Sequence, residues 1–166
     1  MFGIGAIGTR IAMLALSKKG LHIVGAVDVA PDKVGKDLGE VLELGEKLGV
    51  TITDDTDDLF SKVEADIVIH STSSYLRDVY PQIAKCLEAG MNVISTCEEL
   101  SFPYYKYPEL AHKIDELAKK NEVTVLGTGI NPGYLMDTLP ITLTGPCQEV
   151  KKVKVTRVMD SSKRRV

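Results

Sequence analysis

The sequence predicts an α/β fold in which helices cover both faces of a doubly wound parallel sheet. Short, continuously apolar segments alternate with amphipathic segments of helical period along most of the 166 residues. Continuously apolar strands are typical of parallel sheets, because helices cover such sheets on both sides. A glycine-rich turn at the start of the chain agrees with this fold, since it can join a strand to a helix.

The glycine-rich turn is Gly-Ile-Gly-Ala-Ile-Gly at residues 3–8. Followed by a helix, a strand and an acidic residue, this spacing indicates a dinucleotide-binding, Rossmann-type fingerprint. We expect Gly3 to form the tight turn, Gly5 to let a pyrophosphate approach, and Gly8 to let the helix pack closely. The alternative is a glycine-rich packing turn without a ligand. The residues predicted to bind cofactor here are Gly3, Gly5, Ala6, Ile7 and Gly8.

The acidic residue is Asp28, at the end of the apolar run that follows the first helix. Its carboxylate is expected to accept hydrogen bonds from the adenosine ribose and to repel a 2′-phosphate. We therefore expect NAD or NADP as cofactor, with NAD favoured. Lys33 and Lys36 keep NADP open, and the alternative role for Asp28 is to cap the turn at residues 31–34.

The first helix is predicted to place Ile7, Ile11 and Leu14 on one buried face and to end at Gly20. The later helices are predicted near residues 38–44 and over 57–63, 78–89 and 108–120. Strands are predicted over residues 21–27, 50–53, 65–70, 92–95 and 122–126. Within the two long helices the expected buried residues are Val79, Ile83 and Leu87, then Leu110, Ile114 and Leu117.

The pattern changes after Pro146, where charged residues and valines alternate over residues 149–159. Period-two alternation predicts a half-exposed strand of an antiparallel sheet. We therefore predict a Rossmann domain over residues 1–145 and the start of a truncated second α+β domain over residues 146–166. Only Met1 and Phe2 precede the glycine turn, so the first strand is expected to be largely missing.

Three predicted strands end in residues that suit a ligand site, since ligands bind at the carboxyl ends of such strands. His70 at the first end is expected to pack in the core rather than to act in catalysis. Cys97 is a poor nucleophile candidate, because a neighbouring carboxylate raises the pKa of a thiol. The candidate site residues at these ends are Ser71, Thr72 and Ser73, then Glu98 and Glu99, then Asn131, Pro132 and Gly133.

Composition excludes several classes of function. A net charge of −3, 5% aromatic residues and no tryptophan argue against a nucleic-acid partner. No apolar run approaches the ~18 residues that a membrane span needs. The three cysteines are widely spaced and odd in number, which indicates reduced thiols and a cytoplasmic location. No Cys/His spacing suggests a metal site, so no metal is expected.

The run Gly-Thr-Gly-Ile-Asn-Pro-Gly-Tyr-Leu-Met-Asp at residues 127–137 resembles that of the 2,4-diaminopentanoate dehydrogenases. Residues 32–39, 95–100 and 158–165 fit the same group. These enzymes belong with the NAD(P)H-dependent amine dehydrogenases, which share a Rossmann domain of the dihydrodipicolinate reductase type. The resemblance implies oxidative deamination of a small amine or amino acid to a ketone, or the reverse reductive amination.

The resemblance also implies roles for individual residues. Glu98, with Glu99 as the second choice, would serve the amine, and Asn131, Pro132 and Gly133 would lie near the nicotinamide. A second α+β domain would complete the substrate pocket and form a homodimer in the full-length protein. Residues 1–166 alone are therefore expected to bind cofactor and to turn over little.

Two other classes of function stay open. One is a non-catalytic nucleotide-sensing or redox-sensing module, and the other is a homoserine- or diaminopimelate-type dehydrogenase on the same scaffold. The paired histidines and lysine of dihydrodipicolinate reductase itself do not occur, which disfavours that enzyme's own activity.

Overall fold

The computed structural model of the chain describes residues 1–160 and has the predicted doubly wound α/β architecture. Residues 161–166, which include part of the motif noted at residues 158–165, lie outside the described part. None of the helices in residues 1–160 is long and apolar enough to cross a membrane. The strands are β1 (Ala26–Val27), β2 (Ile52–Thr53), β3 (Ile67–His70), β4 (Asn92–Ser95) and β5 (Val125–Gly127). The α-helices are α1 (Ala6–Leu16), α2 (Leu38–Val41), α3 (Thr56–Lys62), α4 (Leu76–Glu88), α5 (Pro103–Lys106), α6 (Pro108–Lys120) and α7 (Leu139–Thr144).

The sheet is parallel, and Phe2 occupies its centre. β1 pairs with β2, β4 lies between β3 and β5, and Phe2 bridges Val27 of β1 and His70 of β3. The backbone N–H of Phe2 donates to Ile69 O at 2.8 Å, and that of Gly3 donates to Val27 O at 2.8 Å. The chain therefore fills one half of the sheet through β2 and then returns to fill the other half. The point of reversal lies at Phe2, which is where ligands bind in sheets of this topology.

The apolar core divides between the two faces of the sheet. Val27 belongs to a cluster with the buried residues of α4 and α6, while the preceding Ala26 belongs to a cluster with α1 and α2. Successive strand residues point to opposite faces, so the two clusters cover opposite sides. The predicted buried face of α4 is confirmed, because Val79, Ile83 and Leu87 are each fully buried.

The predicted buried face of α1 is wrong. Leu14 is 58% exposed and Ile7 is 36% exposed, and the helix instead buries Gly8, Ala12 and Ala15. The helix lies so close to the sheet that only small side chains fit beneath it. A Cβ atom added to Gly8 would lie 2.0 Å from Gly3 O and 2.8 Å from Ser71 Oγ.

Three further expectations differ from the structure. The strand predicted over residues 21–27 is regular only at Ala26–Val27, where it pairs with β2. The strand predicted over residues 149–159 is absent, because no described residue pairs with that segment. The strands are not buried throughout, since Ile67 and Leu126 are 41% and 51% exposed on the less covered face.

Replacing Gly8 by Ala tests the close packing of α1. The added methyl group meets backbone atoms of the Gly3 turn, which cannot move as a side chain would, so we expect a loss of about 1–3 kcal/mol in the free energy of unfolding. Gly5→Ala is the matched control, because no atom of the described residues lies within 4 Å of a Cβ at Gly5. It should cost less than about 1 kcal/mol. Equal losses in urea unfolding would contradict the packing argument.

Candidate functional site

The polar residues that follow the strands meet along one edge of the sheet. Hydrogen bonds join neighbouring loops: Ser71 Oγ donates to Gly3 O at 3.0 Å, and the N–H of Glu99 donates to Ser74 O at 3.2 Å. Farther along, the N–H of Thr128 donates to Ser95 O at 2.9 Å. The loops after Phe2, β3, β4 and β5 therefore form one continuous surface at the carboxyl edge of the sheet.

The glycine turn begins this surface and leaves a helix end exposed. Gly3 has φ +93°, and a Cβ there would lie 2.7 Å from Ser71 O, so this position needs glycine. Gly5, Ala6 and Ile7 are exposed, and no side chain within residues 1–160 caps the first N–H groups of α1. Free N–H groups at a helix N-terminus suit a phosphate, and the open space at Gly5 leaves room for it.

Asp28 lies directly after β1 and faces the glycine turn. Its Oδ2 accepts from the N–H of Ile4 at 2.6 Å, and its Oδ1 accepts from the N–H of Ala30 at 2.9 Å. The ammonium of Lys33 lies 3.9 Å from Oδ2, and the Asp28 side chain is only 10% exposed. The alternative role for Asp28 was to cap the turn at residues 31–34. The hydrogen bond from Ala30, which directly precedes that turn, is a contact of this kind.

The loop after β3 is held by a polar network around His70. Thr72 Oγ1 donates to Gln82 Oε1 at 2.7 Å, and Ser73 Oγ lies 3.3 Å from Asp78 Oδ2. His70 is fully buried, which confirms its expected place in the core, and burial lowers the pKa of its imidazole. Its Nε2 lies 2.7 Å from Gln82 Oε1, an acceptor, so Nε2 carries the proton of the neutral ring.

Ser95 connects this network to the loop after β4. With the Nε2–H form of His70, Ser95 Oγ donates to Nδ1 at 2.9 Å. The same Oγ accepts from the N–H of Cys97 at 3.1 Å, so one buried hydroxyl joins β3 to the turn that follows β4.

Glu99 is held by three partners in the turn Glu98–Leu100, a 3-10 helix. Its Oε2 accepts from the N–H of Leu76 at the start of α4, at 2.8 Å. Its Oε1 accepts from the ammonium of Lys106 and from the hydroxyl of Tyr107. The hydrogen bond from Lys106 is the main cause that lowers the pKa of Glu99 below its usual range.

Glu98 is in the opposite situation. Its side chain is exposed and forms no hydrogen bond or ion pair with any residue of the described part. It lines a cleft of about 520 Å³ whose other walls include Lys106, Pro132, Gly133 and Asp137. Of the two adjacent glutamates, only Glu98 offers an unpaired carboxylate to a ligand in this cleft.

The loop after β5 forms the far wall of the cleft. Gly133 has φ +126°, and a Cβ there would lie 2.4 Å from Gly129 O. The N–H of Gly133 donates to Asp137 Oδ2 at 2.7 Å. Pro132, which follows a cis peptide bond, lines the cleft with Gly133, whereas Asn131 does not.

Sequence reasoning did not single out Lys106 or Asp137 as site residues. Lys106 stands within a run of tyrosines and Asp137 ends the Gly-rich segment at residues 127–137, so both were near noted motifs. Their roles depend on contacts between elements, because Lys106 pairs with Glu99 and Asp137 closes the loop at Gly133.

Cys97 is not a nucleophile in this structure. It is fully buried, and burial is the main cause that raises the pKa of its thiol; the adjacent carboxylates contribute less. A second cavity of about 340 Å³ lies near Met1 and residues 20–25. It contains none of the predicted site residues.

Comparison with known proteins identifies the family. The family model described as dihydrodipicolinate reductase, N-terminus, matches residues 1–126. The chain is 40% identical to 2,4-diaminopentanoate dehydrogenase of Acetoanaerobium sticklandii, over 95% of this chain and 45% of that protein. It is 25% identical to an amine dehydrogenase of Streptomyces virginiae, over 98% of this chain and 46% of that protein.

The structural comparison agrees. The solved amine dehydrogenase of Mycobacterium smegmatis superposes with a TM-score of 0.81 at 35% identity, over 87% of this chain and 42% of that one. The chain thus spans a little under half the length of these relatives.

Removing the Ser95 hydroxyl tests the buried network. Ser95→Ala leaves His70 Nδ1 and the N–H of Cys97 without their partner, so we expect a loss of about 1–3 kcal/mol in unfolding free energy. Ser101→Ala is the control, because the buried Ser101 Oγ has no hydrogen-bond partner within the described residues. It should be neutral or stabilising in urea unfolding. A Ser95→Ala variant as stable as wild type would disprove the role of the network.

Acid unfolding tests the hydrogen bonds that hold Glu99. The folded-state pKa of Glu99 lies below its ordinary value of 4.5, so its contribution to stability is present above that value and is lost as the pH falls below it. Between about pH 6 and about pH 3, Glu99→Gln should therefore lose less stability than wild type. Unfolding by urea at each pH measures this; parallel curves for Glu99→Gln and wild type would refute it.

Proposed function

The chain belongs to the family described as dihydrodipicolinate reductase, N-terminus, and on that premise we propose that it is the cofactor-binding part of an amine dehydrogenase. The reaction proposed is NAD(P)-dependent oxidative deamination at the CH–NH2 group of a small amine, or its reverse. The substrate would resemble 2,4-diaminopentanoate, after the relative from Acetoanaerobium sticklandii.

The unpaired carboxylate of Glu98 is the observation on which this proposal rests. It faces a cleft on the same edge of the sheet as the open helix end of α1. A carboxylate there can bind an ammonium or iminium cation and can accept a proton from the amine at its oxygen. Glu99 is the weaker candidate, because Lys106 and Leu76 already occupy its oxygens.

The residues around the glycine turn fit a nicotinamide dinucleotide. The space that a side chain at position 5 would occupy is open, because this residue is Gly5. The N-terminus of α1, which no side chain of the described residues caps, offers N–H groups to a pyrophosphate. The proposed binding set is Gly3, Gly5, Ala6, Ile7, Gly8, Asp28, Ser71, Thr72, Ser73, Asn131, Pro132 and Gly133. When bound, the nicotinamide would accept or supply the hydride. NAD is proposed as the preferred form, because the Asp28 carboxylate suits free ribose hydroxyls.

Organisation and location complete the proposal. Residues 1–145 would form the cofactor domain and residues 146–166 the beginning of a second domain. A homodimer is proposed for the full-length protein, to be measured by analytical ultracentrifugation. The three unpaired cysteines support a reducing compartment such as the cytoplasm.

Amine oxidation by the full-length protein tests the function. We expect the protein to reduce NAD+ to NADH in the presence of 2,4-diaminopentanoate. The absorbance of NADH measures the rate. Glu98→Gln should lower kcat at least about 100-fold, because the carboxylate is the proposed proton acceptor. Glu109 is also an exposed glutamate, in the first turn of α6, and Glu109→Gln should stay within about twofold of wild type.

The outcomes separate the competing functions. Binding of NAD+ without turnover of any short amine, or of any amino ketone with ammonia, would favour a non-catalytic sensor. Turnover of homoserine or diaminopimelate instead would favour another dehydrogenase class. If Glu98→Gln keeps full activity and Glu99→Gln abolishes it, the catalytic residue is Glu99.

A further inference from the structure

We propose that Lys106 selects the class of substrate, by binding the carboxylate of an amino acid whose amine reacts at Glu98. The inference rests on the proposed oxidation of an amine in the cleft at Glu98, and it deepens that proposal. An amine without a carboxylate would fit the cleft but would lack the contact with Lys106. The cleft is therefore expected to prefer amino acids to simple amines.

The cleft presents charges of both signs. Glu98 is exposed and has no partner among the described residues. Among the described residues that line the cleft, Lys106 is the only cation. An amino acid carries an ammonium and a carboxylate, so its charges are complementary to such a pair. A volume of about 520 Å³ is ample for a molecule of this size.

The ion pair with Glu99 does not remove Lys106 from use by a ligand. Glu99 Oε2 accepts from the N–H of Leu76 at 2.8 Å, at the N-terminus of α4, where the helix dipole stabilises a negative charge. Glu99 Oε1 also accepts from the hydroxyl of Tyr107 at 3.1 Å. The charge of Glu99 is thus balanced by several partners, and its repulsion of a substrate carboxylate is reduced.

The ammonium of Lys106 keeps the capacity to bind a carboxylate. It has three N–H donors, and its hydrogen bonds to Glu99 and Tyr107 leave at least one of them for a ligand. Its Nζ lies 5.1 Å from the centre of the Tyr107 ring, a contact that helps to hold the charge at this wall. The side chain is 64% exposed, so a molecule in the cleft can reach it.

The remaining carboxylate of the cleft is bound elsewhere. Asp137 Oδ2 accepts from the N–H of Gly133 at 2.7 Å, on the far wall. Within residues 1–160, the only ion pair of Lys106 is the one with Glu99. Asp137 therefore does not occupy the ammonium that a substrate carboxylate would contact.

Lys119 provides a matched control. It also forms an ion pair with a carboxylate, that of Asp115, and its side chain is 74% exposed. It lies near the end of α6 and does not line the cleft. Lys119→Gln therefore removes the same charge from a comparable ion pair outside the proposed site.

The test compares two substrates of the full-length protein by the formation of NADH. One is 2,4-diaminopentanoate, and the other is 2,4-diaminopentane, which keeps both amines and lacks the carboxylate. Wild type should have the higher kcat/KM for the amino acid. Lys106→Gln should raise KM for the amino acid about tenfold or more, the scale of one charge-assisted hydrogen bond, and leave KM for the diamine within about threefold. Lys106→Arg should retain the preference, and Lys119→Gln should not change it.

The two substrates separate recognition from a merely structural role. If Lys106 only held Glu99 and its turn in place, Lys106→Gln would impair both substrates equally, and that result overturns the inference. It is also overturned if wild type does not prefer the amino acid, or if Lys106→Gln leaves the preference unchanged. Oxidation of neither compound by folded wild type that binds NAD+ would instead refute the proposed function, and this inference with it.

Discussion

The contact between α1 and the turn that precedes it is the constraint on which the site depends. Gly8 lies directly against the backbone of Gly3, and Ser71 Oγ donates to the same carbonyl oxygen. This contact holds the end of α1 above the point where the sheet reverses direction. It also explains why the helix turns its small residues inward and leaves Leu14 exposed. Stability here comes from close approach rather than from burial of large side chains.

Hydrogen bonds from backbone and hydroxyl groups connect the glycine turn to the neighbouring loops along the edge of the sheet. Ser71 joins the glycine turn to the end of β3, and His70 and Ser95 join β3 to the turn that follows β4. Each buried polar atom in this series has a partner, which makes the network rigid. The turn that bears Glu98 is therefore joined, through buried hydrogen bonds, to the strand whose following loop contacts the glycine turn.

Periodicity and spacing predicted much of the fold, but they did not rank the two glutamates, and the preference for Glu98 rested on the family resemblance. The bounds of β4 and α6 were as predicted, because both have clear periodicity and clear end signals. The buried face of α1 was wrong, since periodicity identifies apolar residues and cannot register the distance between backbones. Glu98 and Glu99 are adjacent in sequence, and contacts from Leu76, Lys106 and Tyr107 to Glu99 separate them. Interactions between elements carry that information, and local patterns do not contain it.

The glycine turn and the cleft at Glu98 differ in which carboxylates have a lysine nearby to balance their negative charge. At the glycine turn, the ammonium of Lys33 lies 3.9 Å from Asp28 and offsets its negative charge. In the cleft, Lys106 neutralises Glu99 and leaves Glu98 without a counter-ion in the described structure. An unpaired carboxylate favours a cation, and a compensated one tolerates an anion. The placement of two lysines, more than the placement of the acids, would thus direct a dinucleotide to one end of the edge and an amine to the other.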